Sequence, residues 1–338
     1  MTRHARGKLS SSAPIAALLL VLGVRFATGA EPATLELLQT IPLKGAAGRL
    51  DHMAIDGKHA RLFVSNLSNN SLDIVDLKAG KLLKQIPDQM KIQGIAYAAD
   101  LDRIYVGNGT SGECNVFDGK DYKLLKSVKL PGADNVRYLA SRRLVYVGHA
   151  EKALSAIDAQ TYEVKAEIKL PGRPEGFQLE TKRPRLYMNT VEPTRLVMVD
   201  TDKNEVLHEH PLKLADRAYP MAVDEAHHRL FLGCRAKPSI VVVDSETGME
   251  VTTVAIPEDI DDLFYDAKNK RLYASCGAGS LAVIRQRDSD HYETLETIPT
   301  AKLARTCFFD PTGERLYLIV PRQEGEEGPT IRVYKPRP

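Results

Sequence analysis

The chain has 338 residues with 46 Lys and Arg against 44 Asp and Glu, four Cys and no Trp. So even a charge balance excludes a strong global attraction to nucleic acid or an anionic membrane. The cysteines show neither a Cys-x-x-Cys-His run nor a zinc spacing, which excludes covalent haem and a cysteine-based zinc site.

Residues 1–30 read as a secretory signal peptide. Arg3, Arg6 and Lys8 make a basic start, residues 13–24 an apolar stretch of 12, and Thr28-Gly29-Ala30 the small residues of a cut site. The apolar run is too short to span a bilayer, and no Arg-Arg pair points to a twin-arginine route. An uncleaved anchor is the alternative, because Arg25 interrupts the approach to the cut. Without this segment 42 basic and 44 acidic residues leave a net charge of −2. The expected location is periplasmic or secreted, with no membrane span after signal cleavage.

Residues 31–338 form one repeat domain. Phe63, Tyr105, Tyr146, Tyr187, Phe231, Tyr273 and Tyr317 recur every 41 to 44 residues, each inside a basic–aliphatic–aromatic–apolar run. A period of this length with strand patterns and no helix pattern predicts an all-β fold, a seven-bladed β-propeller of four-stranded blades. In the first repeat the strands are 52–56 (A), 61–65 (B), 72–76 (C) and 81–86 (D). Strands B and C are continuously apolar in several repeats, as in Ile240-Val241-Val242-Val243, which suits a sheet covered on both faces. Strand D mixes in Lys, Glu and His and belongs at the solvated rim.

Strand C ends in Asp at Asp76, Asp118, Asp158, Asp200 and Asp244, with Gly80, Asn204 and Gly248 four residues after three of these. A short carboxylate that bonds nearby backbone amides, followed by a residue tolerant of positive φ, makes a tight turn. These aspartates are read as turn formers. The last repeat stops at Ile331-Arg332-Val333-Tyr334, a strand C with no strand D behind it, whereas Leu35 to Pro42 looks like a strand D without a blade. Pairing the two closes the ring and protects its edges.

The stretches Arg61 to Asn66 and Asn69 to Lys81 resemble the Tyr-Val-Thr-Asn repeat of the YVTN β-propeller family, often described as YncE-like. Tyr105-Val106-Gly107-Asn108 and Tyr146-Val147-Gly148-His149 are degenerate copies. The resemblance covers essentially the whole chain after the signal. It implies the propeller and carries no catalytic motif. It also raises single-stranded nucleic-acid binding, which wants a basic groove with stacking aromatics that this chain lacks.

Cys114, Cys234, Cys276 and Cys307 lie in different repeats, and Cys234 and Cys276, at equivalent positions of neighbouring blades, are too far apart to bridge. They are read as buried apolar residues or free thiols.

In a propeller the D-to-A and B-to-C loops gather around the channel mouth, where ligands bind. Twelve residues before each aromatic (eleven in the third repeat) stand Asp51, Gln93, Asn135, Glu175, Tyr219, Asp261 and Arg305, all polar beside mostly apolar neighbours. His52 adjoins this ring. Two residues further out stand Arg49, Lys91, Ala133, Arg173, Arg217, Asp259 and Leu303, four of them basic. Wet channel positions and solvated loop charge would explain polarity alone. The variety of the ring instead suits a selective small-molecule pocket, and guanidinium forks suit carboxylate or phosphate. At the end of strand B the column Asn66, Asn108, His149, Thr190, Cys234, Cys276 and Val320 is placed on the same face, with the acidic insertion 323–329 beside the mouth. His59, His227 and His228 fall in turns of the opposite face.

The expected function is an exported binding or interaction module, a monomer, with an anionic small molecule, peptide or glycan at the channel mouth. Arg49, Asp51, His52, Gln93, Asn135, Glu175, Tyr219, Asp261, Arg305, Arg173 and Arg217 are its candidate ligand-binding residues. The alternative is a metal-dependent hydrolase or lactonase-like enzyme in which Asp51, Asn135, Glu175 and Asp261 hold a divalent cation and His52 acts as base. A quinone-cofactor dehydrogenase is disfavoured by the absence of Trp for stacking, and no haem is expected.

Overall fold

A computed structural model describes residues 33–338. The segment read as an export signal, residues 1–30, lies outside the described residues.

The described chain forms seven four-stranded antiparallel sheets. Six are built in sequence order, A to D: Met53–Asp56 to Lys81–Ile86 for blade 1, through Ile260–Asp266 to Tyr292–Pro299 for blade 6. Blade 7 takes its first three strands from Cys307–Asp310, Arg315–Val320 and Thr330–Pro336, and its outermost strand from Leu35–Pro42. Leu35 pairs with Pro336 and Pro42 with Thr330 along this seam. The predicted closure is the one observed.

Seven apolar clusters lie one between each pair of neighbouring blades, from blades 1 and 2 round to blades 7 and 1. Each repeat aromatic belongs to the cluster shared with the following blade, and none is more than 4% exposed. Burying one contributes about 1.5–3 kcal/mol of gross stabilisation, so these side chains glue blades rather than bind a cofactor. Among the tyrosines, Tyr105 donates its hydroxyl to the Ala159 carbonyl (2.7 Å) and Tyr273 to Asp266 (2.9 Å). Strand D is largely exposed, as its charge pattern predicts.

The five strand-C aspartates all act as turn formers. Each accepts backbone N–H groups from the second and third following residues, as Asp76 does from Lys78 (2.9 Å) and Ala79 (2.8 Å). The position four residues on is left-handed in every case, including Tyr122 (φ 62°) and Tyr162 (φ 64°), where the sequence offered no Gly or Asn. Both tyrosines reach back to the preceding blade, accepting hydrogen bonds from Arg61 (3.0 Å) and Arg103 (3.3 Å). These contacts offset the cost of a left-handed tyrosine. The four cysteines are free and buried.

Around the channel the inner strands approach closely. A Cβ on Gly94 would lie 2.2 Å from the Asp134 carbonyl, and one on Gly176 2.3 Å from that of Tyr219. The Gly94 N–H in fact donates to Asp134 O (3.1 Å). Glycine at these two places lets one blade's backbone pass close against the next.

Candidate functional site: the central well

Inner strands begin at the channel mouth, so the first residues of strand A and the loop before it surround the axis. They enclose a well of about 180 Å³. It is smaller than the roughly 300–1,000 Å³ pockets of drug-sized ligands.

Eight of the eleven candidate residues line the well: Arg49, His52, Gln93, Asn135, Arg173, Glu175, Tyr219 and Asp261. Asp51, 1% exposed, stands behind Arg49, and Arg305 stands behind Asp261. Arg217 sits on the outer rim with its guanidinium on the Tyr219 hydroxyl (3.3 Å). Of the outer column, Lys91, Arg217, Asp259 and Leu303 share a left-handed backbone (φ 51–65°), while Arg49 and Arg173 turn inward.

Strand pairing corrects one member of the ring. Arg137 pairs with Tyr146 as Ala54 pairs with Phe63, so the offset in blade 3 is twelve and Asp134, not Asn135, is equivalent to Asp51. The backbone agrees: Asp51 and Asp134 donate to Ser65 and Gly148, which donate in turn to His52 and Asn135. Asn135 therefore takes the position of His52 and still lines the well. The column at the end of strand B does not reach it. Asn66 donates to Asp73 (2.9 Å), Asn108 to Gln89 (3.2 Å) and Thr190 to the Pro193 carbonyl (2.8 Å), and all seven members are buried. The acidic insertion also lies outside the lining.

The charges of the well fall into two arcs. Along blades 4 to 7 and 1 they neutralise one another. Arg173 pairs with Glu175 (2.7 Å), Arg49 with Asp51 (2.8 Å) and Asp261 (3.3 Å), and Arg305 with Asp259 (2.7 Å) and Asp261 (3.1 Å). Arg235 adds a further pair with Asp261, and its guanidinium lies 4.1 Å from the Tyr219 ring centroid. His52 lies between Asp262 (3.4 Å) and Asp51 (3.6 Å), while Asp262 also accepts the Cys307 N–H (3.1 Å). Burial alone would lower the His52 pKa, but Asp262 and Asp51 outweigh it and push it up to about 9, so the ring is an imidazolium at neutral pH.

Blades 2 and 3 contribute the other arc. Among the described residues, the Lys91 ammonium, the Gln93 amide, the Asp134 carboxylate and the Asn135 amide have no ion-pair or side-chain hydrogen-bond partner. Among the described residues Arg137 donates only to the carbonyl of its neighbour Val136 (2.9 Å), and it lies over the Phe177 ring. Burial lowers its pKa, against the pull of Asp262 and Asp134. Burial and Asp51 push Asp134 up to about 6 against His52, Arg49 and Lys91, and burial and Asp134 push Glu175 up to about 7 against Arg173 and Arg235.

Arg137 and Asp134, together with Arg235 and Asp262, are the charged residues of the well that sequence reasoning missed. A signal for Arg137 existed: its equivalents are Ala54, Ala96, Gln178, Ala222, Phe264 and Phe308, so a guanidinium there interrupts an almost uniformly uncharged column.

The carboxylates expected to hold a cation are otherwise engaged. Asp51, Glu175 and Asp261 each hold a guanidinium, and among the described residues no three His, Cys, Asp or Glu side chains converge as a metal site. On the opposite face a wider pocket of about 610 Å³ runs past Val223, Tyr265 and Phe309, and Lys268 and Glu314 at its edge pair with each other.

The chain is 24% identical over 273 residues to the uncharacterized protein YncE of Salmonella typhimurium, covering 76% of this chain and 75% of that one. It is 23% identical over 273 residues to YncE of Salmonella typhi, with the same coverage of 76% and 75%. It is 24% identical over 210 residues to YncE of Escherichia coli O157:H7, covering 57% and 58%. A chain of Kuenenia stuttgartiensis hydrazine synthase superposes with a TM-score of 0.69 over 86% of this chain and 96% of its own, at 15% identity, a likeness of fold alone. No family model matches.

Proposed function

We propose that this chain, a YncE-like β-propeller, is an exported, monomeric binding module that holds a small molecule with an anionic group in its central well. The observation that carries this reading is Arg137. A partly buried guanidinium lining the well without a carboxylate partner among the described residues carries a desolvation cost that a ligand's negative charge would offset. Lys91 adds a second unengaged cation from blade 2. The volume of the well supports a ligand of a few heavy atoms, or the end group of a peptide or glycan whose remainder stays outside.

The basic rim is a weaker recognition element than its composition implies, because Arg49 and Arg173 already serve the well's own carboxylates. Hydrolysis at a metal centre finds less support for the same reason. Stacking of nucleic-acid bases would need Tyr219, whose face Arg235 covers.

The test is calorimetry on the exported protein with small carboxylates and phosphates, beside Arg137→Gln. Binding by the wild type and a loss of at least tenfold in the variant support the reading. Equal affinity in the variant removes Arg137 and the well from it.

A further inference from the structure

We infer that the ligand of the well is a zwitterion, its anionic group taken by Arg137 and its ammonium group by Asp134. The inference rests on the reading of the well as a binding site and names the class of molecule it selects.

Both charges come from blade 3, Arg137 from its inner strand Val136–Leu139 and Asp134 from the loop just before that strand, and both line the same small space. Elsewhere around the ring each acid has a basic partner, an arginine for Asp51, Glu175, Asp259 and Asp261 and His52 for Asp262. Here, among the described residues, the acid and the base are each left without an ionic partner. No ion pair or side-chain hydrogen bond joins the two among the described residues, which leaves both heads available to a molecule between them.

A simple anion seated on Arg137 would bring its charge beside Asp134, and like charges brought together in a partly dry site repel strongly. A simple cation on Asp134 would meet Arg137 and Lys91 in the same way. A molecule carrying both charges satisfies both walls at once. The amides of Gln93 and Asn135, each less than 9% exposed and without side-chain partners among the described residues, flank the same arc. Each offers both a donor and an acceptor for the polar groups between the ligand's charged ends.

The saturated arc strengthens the assignment. Its ion pairs leave no spare charge of either sign to reward a second anionic or cationic group, so a dicarboxylate or a diamine gains nothing there.

The experiment is titration calorimetry of the whole exported protein against matched probes: glycine, β-alanine and γ-aminobutyrate, the carboxylates acetate, propionate and butyrate, and the corresponding alkylamines. The inference expects at least one amino acid to bind tenfold or more tighter than its carboxylate and its amine counterparts. In Asp134→Asn that preference should fall to less than threefold while the carboxylate binds as well as before or better. Carboxylates binding as tightly as the amino acids would overturn the zwitterion and leave the anion-binding reading standing. No binding by any probe would sink the reading on which it rests. The wild-type comparison needs no variant, and circular dichroism of Asp134→Asn guards the second arm against a folding defect.

Discussion

The guanidinium of Arg137 lies 5.6 Å from the centroid of the Phe177 ring, across the interface between blades 3 and 4. A cation–π contact of this kind is worth about 0.5–2 kcal/mol. The desolvation of a buried charge without a counter-ion costs several kcal/mol. Arg137 is only partly buried, so this cost is reduced but still exceeds the contact, and we expect Arg137 to be a net burden on the ligand-free protein. Arg137→Met should raise the melting temperature by a few degrees while abolishing ligand binding. A lowered melting temperature would show that Arg137 is held for the fold.

Stability should fall as pH rises from about 5 to 9. Glu175 stands at about 7 in the fold against 4.5 in a free chain, so the native state keeps a proton that the unfolded state has lost. Its contribution is fully present below 4.5 and is gone above about 7. His52, raised from 6.5 to about 9, extends the decline, its contribution being full below 6.5 and lost through 9. Melting curves across this range should show Glu175→Gln flattening the limb below 7 and His52→Gln the limb above it. Parallel curves for wild type and Glu175→Gln would refute the assignment.

Gly94→Ala should destabilise the protein by more than 2 kcal/mol on the order expected for overpacking against rigid backbone. Its Cβ has nowhere to go but against the Asp134 carbonyl at 2.2 Å. Gly57→Ala, with nothing within 4 Å of the added carbon, should be nearly neutral. Urea denaturation of the pair separates a blade-packing role for Gly94 from a general dislike of added bulk. The same Gly94 variant should also lose ligand affinity, since it displaces Asp134.

Ile41→Ala should cost about 2–5 kcal/mol, because Ile41 is fully buried in the cluster joining blades 7 and 1. Removal of residues 35–43 should lower the melting temperature far more. An unchanged melting curve after that deletion would contradict the seam.

The repeat aromatics made the architecture readable in advance, since each buries one ring per period and nothing else explains such spacing. The seam was readable because Leu35 to Pro42 has strand-D character and the last repeat lacks a strand D. The site was legible only in part. Counting back eleven residues from Tyr146 gave Asn135, whereas the pairing of Arg137 with Tyr146 shows that blade 3 keeps the offset of twelve found in the other repeats and puts Asp134 in the ring. Which charges remain unspent was likewise hidden. Arg49, Arg173 and Arg305 look like free cations in a column of letters, and their engagement depends on rotamers aimed across the channel. Arg137 was visible as an anomaly in the column nine residues before each repeat aromatic, but its lack of a counter-ion was not.

The strand that completes blade 7 meets its partner across about 300 residues of chain, Leu35 against Pro336. Six sheets can assemble from local hairpins as they are made, whereas the seventh must wait for the final segment to arrive. Loop-closure entropy makes that last step slow. Every truncated product consequently carries an unmated sheet edge, a mark by which a protease or chaperone can tell half-finished copies from mature ones.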